Sequence, residues 1–556
     1  MNNKLFCIIS SVLLIAGSIA CKKQLQVGNP NQPTVAGNTG SEAGIIALAQ
    51  GGVYINGFEN GDVWLGDSYF SLPYGYSELL ADIVGADASN QQISGVGLPQ
   101  YVILSDGTKL TNPTTQRDLL RTYNSRSSTG QGNNAYYYQW LNMYALNNAC
   151  NVVLSLLDGV KFSGDATTRS NTIKVWCYWW KGYAYASIGS MYYSGLISSD
   201  PNTTNNHYVI KDSIIKESDY WYNQAATILQ GITNTTDYNE VLGQLIPAFC
   251  QVGHGGVLTP DMWIHNINTM LARNILLNKL APFVNSNPNT IITGASITPM
   301  TSADWQDVLT LATKGIQNSD YVFTGRSTDI NGFFSAAFGT VASLTAGVNT
   351  STTFKITERF IQYFKPGDKR LTNNFDASTH YHNDYTFGTR WSLLDGGKSL
   401  PGVYTYANQN IGEYELYIAG SYEENALMLA EANIRLSKID AGLAYVDAIR
   451  NYQSAGLPAV SGRGLNQAQA LSELVSERRV SLVFRGLSFY DSRRWGWIYD
   501  ISHGGGSYGN WLLTSDDVLH TNVTIDYNFL DYWDVPADES DLNPPGEGSA
   551  PILNPN

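Results

Sequence analysis

The chain is 556 residues long and carries 33 Lys and Arg against 47 Asp and Glu, a net charge of -14. That acidity argues against nucleic acid and anionic membrane surfaces as partners, because both are bound through clustered Lys and Arg. Charged residues make up only 14% of the chain while Tyr numbers 35 and Trp 13, a polar, uncharged, aromatic composition that suits neutral, hydroxyl-rich ligands.

Lys4 precedes an apolar run from Leu5 to Ile19. The run is shorter than the roughly 20 apolar residues needed to span a bilayer, and residues 1–20 read as a secretory signal peptide. Its end, Ser18-Ile19-Ala20-Cys21, resembles the lipobox of bacterial lipoproteins, with Ser18 where Leu is usual. In that motif the cysteine is acylated, palmitate included, and becomes the mature N-terminus. Cys21 is therefore the expected lipidation site; a signal peptide with an incidental cysteine is the alternative. Several acyl chains, at about 0.8 kcal/mol per buried methylene, hold a protein to a membrane durably. Residues 21–40 are rich in Gly, Pro, Asn and Gln without periodicity, the composition of a flexible tether. With Cys7 and Cys21 removed or modified, Cys150, Cys177 and Cys250 remain. They are odd in number and lack metal-like spacing, so buried thiols are expected rather than a disulfide framework.

Ser41 then precedes a helix-like run with Ile45, Leu48, Ala49 and Gly52 on one face. Further helices are expected over 135–158, 171–195, 217–231, 262–281, 303–317, 421–436, 440–452 and 467–485. Between them, 56–134 and 318–420 are dense in Gly, Asn, Ser, Thr and aromatics and read as long irregular loops. Strand-like alternation is weak and scattered. In the second helix of the clearest pair, Ala441, Ala444, Tyr445, Ala448 and Ile449 form an apolar stripe at i, i+3, i+4, i+7, i+8. In the first, Ala426, Ala430 and Ala432 are small enough for close approach. Pairs of this kind stack into solenoid-like arrays, so one all-α domain over 41–556 is expected.

Arg478 shares a helical face with Leu471, Leu474, Val475 and Leu482, and a charge turned inward must be paired. Glu473, Asp491 or a helix-end carbonyl are the candidate partners, and Gly486 the expected C-cap. Glu477, Arg478, Arg479, Asp491, Arg494 and Trp495 are read as a structural set rather than a reactive site. Ligand contacts are expected from loop aromatics, whose faces stack on the C–H face of a sugar ring. Trp64, Tyr69, Tyr74 and Tyr76 form one candidate group, and Tyr381, Trp391 and Tyr404 another. Trp176, Trp179 and Trp180 sit in a helical apolar run and read as packing. His380 and His382, flanked by Asp376 and Asp384, are the one metal-like cluster and read as an ordinary polar loop. No metal or other cofactor is expected. The chain contains no G-x-S-x-G, H-E-x-x-H, P-loop or dinucleotide fingerprint. Paired carboxylates for glycoside cleavage stay open, since such partners meet only in the fold.

Three blocks near the C-terminus carry a family resemblance. Tyr422–Leu436 (YEENALMLAEANIRL), Ala441–Pro458 (AGLAYVDAIRNYQSAGLP) and Leu471–Gly496 (LSELVSERRVSLVFRGLSFYDSRRWG) resemble, in order and spacing, the C-terminal half of SusD/RagB proteins. The chain departs from the pattern at Ser481, Leu482, Arg485 and Ser488. Arg359–Leu371 (RFIQYFKPGDKRL), Trp140–Leu154 (WLNMYALNNACNVVL) and Asp534–Pro545 (DVPADESDLNPP) resemble further stretches of that family. The resemblance implies a tetratricopeptide-like helical-pair superhelix with long irregular loops that carry the ligand site. It implies a non-enzymatic outer-membrane lipoprotein of Bacteroidetes, lipid-anchored and surface-exposed. Such a protein captures an oligosaccharide or polysaccharide and delivers it to a SusC-like TonB-dependent transporter. Lys22 and Lys23 depart from the acidic export signal usual after the lipidated cysteine. A RagB-like peptide-uptake component and a glycan-active enzyme are the alternative functions.

Overall fold

The computed structural model describes residues 40–54, 72–86, 95–124, 135–281, 292–325, 354–377, 381–382, 387–393 and 415–556. Sixteen α-helices lie among them: α1 (Glu42–Tyr54), α2 (Leu72–Leu80), α3 (Gln116–Tyr123), α4 (Ala135–Leu156), α5 (Ala166–Met191), α6 (Lys211–Gln230), α7 (Thr235–Leu245), α8 (Pro260–Leu277), α9 (Ser302–Thr313), α10 (Glu358–Ile361), α11 (Lys369–Asn374), α12 (Tyr422–Arg435), α13 (Ile439–Tyr452), α14 (Gln467–Ser481), α15 (Ser488–Arg494) and α16 (Ala537–Leu542). Their starts are set by side chains that accept the first free N–H groups. Asp165 caps α5 by accepting from Thr167 and Thr168. Thr259 caps α8, with Pro260 in its first turn. Thr301 with Asp304 and Asn466 with Gln469 close reciprocal capping boxes on α9 and α14.

The helices pack as neighbouring pairs. α5 lies along α4 and α6, α8 bridges α6 and α9, and α12 packs on α9, α13 and α14. Between α12 and α13 the approach is close because residue 442 is Gly: a Cβ there would stand 2.6 Å from the Ala430 carbonyl oxygen. One connected apolar core runs from Ile45 to Val535, and α5 is its axis. Trp176, Trp179 and Trp180 are fully buried there. The Trp176 indole N–H donates to the Ala49 carbonyl at 3.1 Å and that of Trp179 to Asn266 at 3.0 Å. Cys150, Cys177 and Cys250 are buried and free. No described helix is long and apolar enough to cross a membrane.

The fold is mostly helical, with strands as an addition. A six-stranded antiparallel sheet is built on the hairpin Ser507–Thr514 and Leu519–Asp526. Tyr101–Ile103 and Lys109–Thr111 extend it on one side, Phe387–Thr389 and Tyr381–His382 on the other. Register shifts at Asn510 interrupt the hairpin's alternation, which is why a period of two does not stand out along it. Helix boundaries also moved. The helix expected over 467–485 ends at Ser481 with Leu482 as its C-cap, so Gly486 is not that cap. Gly486, with φ +68°, instead turns the chain into α15.

Two chains of pairs stand out among the described interior charges. Asp491 receives Arg478 through two bonds of 3.0 Å and Arg494 at 2.7 Å, and Arg494 grips Glu431 through both its terminal nitrogens. Glu477 takes Arg370 at 2.6 Å and Arg450 at 2.8 Å. Burial alone would raise these two glutamates, but the facing guanidiniums hold both carboxyls at about 2. Arg479 donates to the Ala81 carbonyl and lies against the Tyr363 and Trp497 rings. Trp495 is fully buried.

Candidate ligand-binding corner

Of the seven sequence-derived ligand candidates, Trp64, Tyr69 and Tyr404 lie outside the described residues, as do Cys21 and the side chains of Tyr74 and Tyr381. Trp391 is half-buried and bridges to Ile356. Tyr76 is not a surface platform. It is 3% exposed, and its ring meets Tyr136 edge-on at 4.8 Å in the core. The end of α2 is buried on all sides: Tyr76, Ser77, Glu78, Leu79 and Leu80 are all 5% exposed or less.

The described surface has its own aromatic concentration, where a short 3₁₀ turn (Ala248–Cys250) meets the strand pair Phe323–Gly325 and Leu416–Ala419. Phe249, Val252 and Tyr321 are 42%, 49% and 44% exposed here. Three large apolar side chains left this exposed beside one turn make it a candidate binding surface. Local geometry explains their display. The Cys250 carbonyl accepts from Thr324 at 3.1 Å, and Gln251 donates to the carbonyls of Gly243 and Ile246, so the turn is fixed to the strand and to α7. Gly256 lets the Tyr321 ring lie against the backbone; a Cβ there would fall 2.7 Å from its Cγ.

A hydrogen-bonded chain crosses the same corner. The Glu415 carboxylate accepts from the His254 backbone N–H at 2.9 Å and faces its Nδ1 at 2.9 Å, while His254 Nε2 meets the Tyr452 hydroxyl at 2.9 Å. His254 is thus held at both ring nitrogens with 44% of its side chain exposed. Tyr417 stands 5.4 Å from the His254 ring, with the Arg485 guanidinium over it at 3.6 Å. Tyr422 meets Tyr452 edge-on at 5.2 Å. Burial, and then the charges of Glu423 and Glu415, push both the Tyr417 and Tyr452 phenols above their ordinary value. They stay protonated, able to donate and to accept. Aromatic faces beside fixed O–H, N–H and carboxylate groups are what a hydroxylated ring needs: stacking for its C–H face, directional partners for its rim.

Chain ends gather at the corner too. Tyr54, the end of α1, stacks on Trp176, which in turn meets Phe323. Gly325 and Glu415 are strand neighbours of Leu416. Residues 55–71, 326–353 and 394–414 therefore leave or re-enter the described body here.

Among the described residues a cavity of about 50 Å³, lined by Tyr183, Arg273, Asn274, Arg485 and Tyr490 among others, has room for a few waters. Sequence reasoning passed over His254, Tyr321, Glu415 and Tyr452, which are far apart in the chain. The glycine-rich stretch Gly253-His254-Gly255-Gly256 was the one local sign. No described group of three His, Cys, Asp or Glu is arranged to hold a metal.

No protein-family model matches the sequence, and no curated protein matches it. Solved structures do match. A SusD-like carbohydrate binding protein from Bacteroides fragilis superposes with TM-score 0.55 at 12% identity, covering 91% of this chain and 98% of that one. A SusD superfamily protein from Bacteroides vulgatus gives 0.51 at 15% over 92% and 99%, and one from Parabacteroides distasonis 0.51 at 13% over 91% and 98%. At such identities the likeness lies in the course of the backbone over nearly the whole chain, and that course is the SusD fold.

Proposed function

We propose that this protein captures an oligosaccharide without cleaving it and passes it to a TonB-dependent outer-membrane transporter of the SusC type. The observation that carries the reading is the exposed corner of Phe249, Tyr321, His254, Tyr452 and Glu415 on a SusD fold. Solved structures of that fold are described as carbohydrate binding, and the corner supplies stacking faces and hydroxyl partners side by side. Trp64, Tyr69 and Tyr404 belong to the proposal through segments that adjoin the corner in sequence. Anchoring follows from Cys21: acylated there, the chain is held to the outer membrane on a tether of about twenty residues, close to a membrane-embedded partner.

Calorimetric titration of the purified protein with soluble glycans and with peptides tests the reading, together with an assay for new reducing ends. Saturable binding of a glycan without new ends is the expected result. Cleavage would make the protein an enzyme, and binding of peptides alone would move it to peptide uptake.

A further inference from the structure

We propose that the outer face of α5 and α6 carries a second saccharide contact, built on Tyr178, Tyr220 and Trp221, an inference that rests on the capture reading above. Tyr220 is 50% exposed, more than any other described Phe, Tyr or Trp. Trp221 follows it, the two ring centroids 5.1 Å apart at 74°. Tyr178 of α5 tilts against Trp221 at 5.0 Å and 45°. Trp221 and Tyr178 are half-buried, so three neighbouring rings reach the surface of two packed helices. This face is separate from the corner. Residues two apart on a helix do not share a face, and Tyr222, fully buried, turns inward from Tyr220. Its ring meets Trp179 at 6.1 Å, and Trp179 meets Phe323 of the corner's strand pair at 4.7 Å. Buried rings therefore stand between the two surfaces.

The central ring is held in place before a ligand arrives. Its indole N–H donates to Glu217 Oε1 at 2.8 Å, one turn back on α6, and the Lys181 ammonium stands 4.5 Å from a ring centroid of the indole. Lys181 is itself fully buried and donates to the side-chain oxygens of Asn147 and Asn151. A ring fixed in this way loses little further freedom on binding. The groups around it have capacity to spare. Among the described residues, the Tyr178 and Tyr220 hydroxyls and Glu217 Oε2 have no hydrogen-bond partner. Two phenols that donate and accept, and a carboxylate oxygen that accepts, thus border an indole. That arrangement fits a pyranose, whose C–H face lies on a ring while its hydroxyls need partners of both kinds. An apolar peptide side chain would instead cover the carboxylate and bring no donor to it, at a cost in desolvation.

The test is calorimetric titration of the wild type, Tyr220→Ala and Phe249→Ala/Tyr321→Ala with neutral hexasaccharides derived from starch, xylan, mannan and dextran. Two binding events are expected for the hexasaccharide that the wild type takes. The tighter is expected to fail in the corner variant, since the corner is richer in fixed polar partners. The weaker is expected to lose at least about fivefold in affinity in Tyr220→Ala, at an unchanged melting temperature because that side chain already stands in water. A single event in the wild type, or two that Tyr220→Ala leaves unaltered, would overturn the inference and leave saccharide capture standing. Binding of no hexasaccharide would overturn the capture reading and this inference with it.

Discussion

Glu78 sits near the end of α2, 1% exposed, and keeps its proton to a higher pH than a free glutamate does. Burial pushes it up to about 7, with hydrogen bonds from Ser488 and Phe484 and the charge of Arg479 opposing. Its folded value lies above the 4.5 of the free group, so the folded chain keeps a proton that the unfolded chain releases. Stability is therefore unaffected by this residue below about pH 4.5, and falls as pH rises from there to 7. Glu78→Gln, which retains a neutral acceptor and donor, is expected to stabilise the protein at pH 8 by up to about 3 kcal/mol and to change little at pH 4. Thermal unfolding at the two pH values measures this; equal effects at both would show that the fold leaves the Glu78 carboxyl at its free value. At the corner, Tyr452→Phe removes the hydroxyl that meets His254 Nε2 and keeps the ring. It is expected to weaken ligand binding several-fold, about 1 kcal/mol for one hydrogen bond, with the melting temperature held. Titration of the variant checks both.

The helices and their charged seams belong to the next scale. Glu477 on α14 joins Arg370 on α11 and Arg450 on α13, so one carboxylate fastens three elements. Glu477→Gln removes the common counter-charge of two buried guanidiniums, each of which keeps one other carboxylate, Asp368 for Arg370 and Glu473 for Arg450, and a loss of about 2–3 kcal/mol, below that of a fully uncompensated buried charge, is expected in chemical denaturation at pH 7. The pH signature follows from direction: a carboxyl held at about 2 adds stability that is complete above about 4.5 and is lost as pH falls toward 2. The variant is expected to have a shallower slope, with the share of Glu431 remaining. This seam was readable in outline. The inward face of Arg478 could be drawn from helical spacing, and Asp491 was one of its three candidate partners; the choice among them came only with the structure. The helices with strong apolar stripes were likewise readable, to within a few residues at most ends. What spacing does not reveal is pairing at a distance. The Tyr101–Ile103 strand reaches its neighbour some four hundred residues on at Thr524–Asp526, and the hairpin it joins is broken by register shifts. Short helices such as α11 and α15 carry too few turns for a period to emerge. The corner was hidden for the same reason: His254, Tyr321, Glu415 and Tyr452 come from four separate elements, while Tyr76, chosen for its Gly-rich surroundings, belongs to a helix that buries it.

For the whole molecule, the proposed capture rests on aromatic and hydrogen-bonding groups that meet at one described corner of a mostly helical body. Anchoring has its own test: Cys21→Ser, expressed in a bacterium that processes lipoproteins, is expected to move the protein from the membrane fraction to the soluble one. Retention on the membrane would show that another feature holds it. The central claim is that the corner grips a saccharide, and it is tested most directly by comparing the wild type with the Phe249→Ala/Tyr321→Ala double variant in calorimetric titration against one bound neutral glycan. Both side chains are more than two-fifths exposed, so their removal leaves the core intact. The account predicts an affinity loss of at least about tenfold, roughly 1.4 kcal/mol, at an unchanged melting temperature. Undiminished affinity in the double variant would contradict it and place the ligand elsewhere on the molecule.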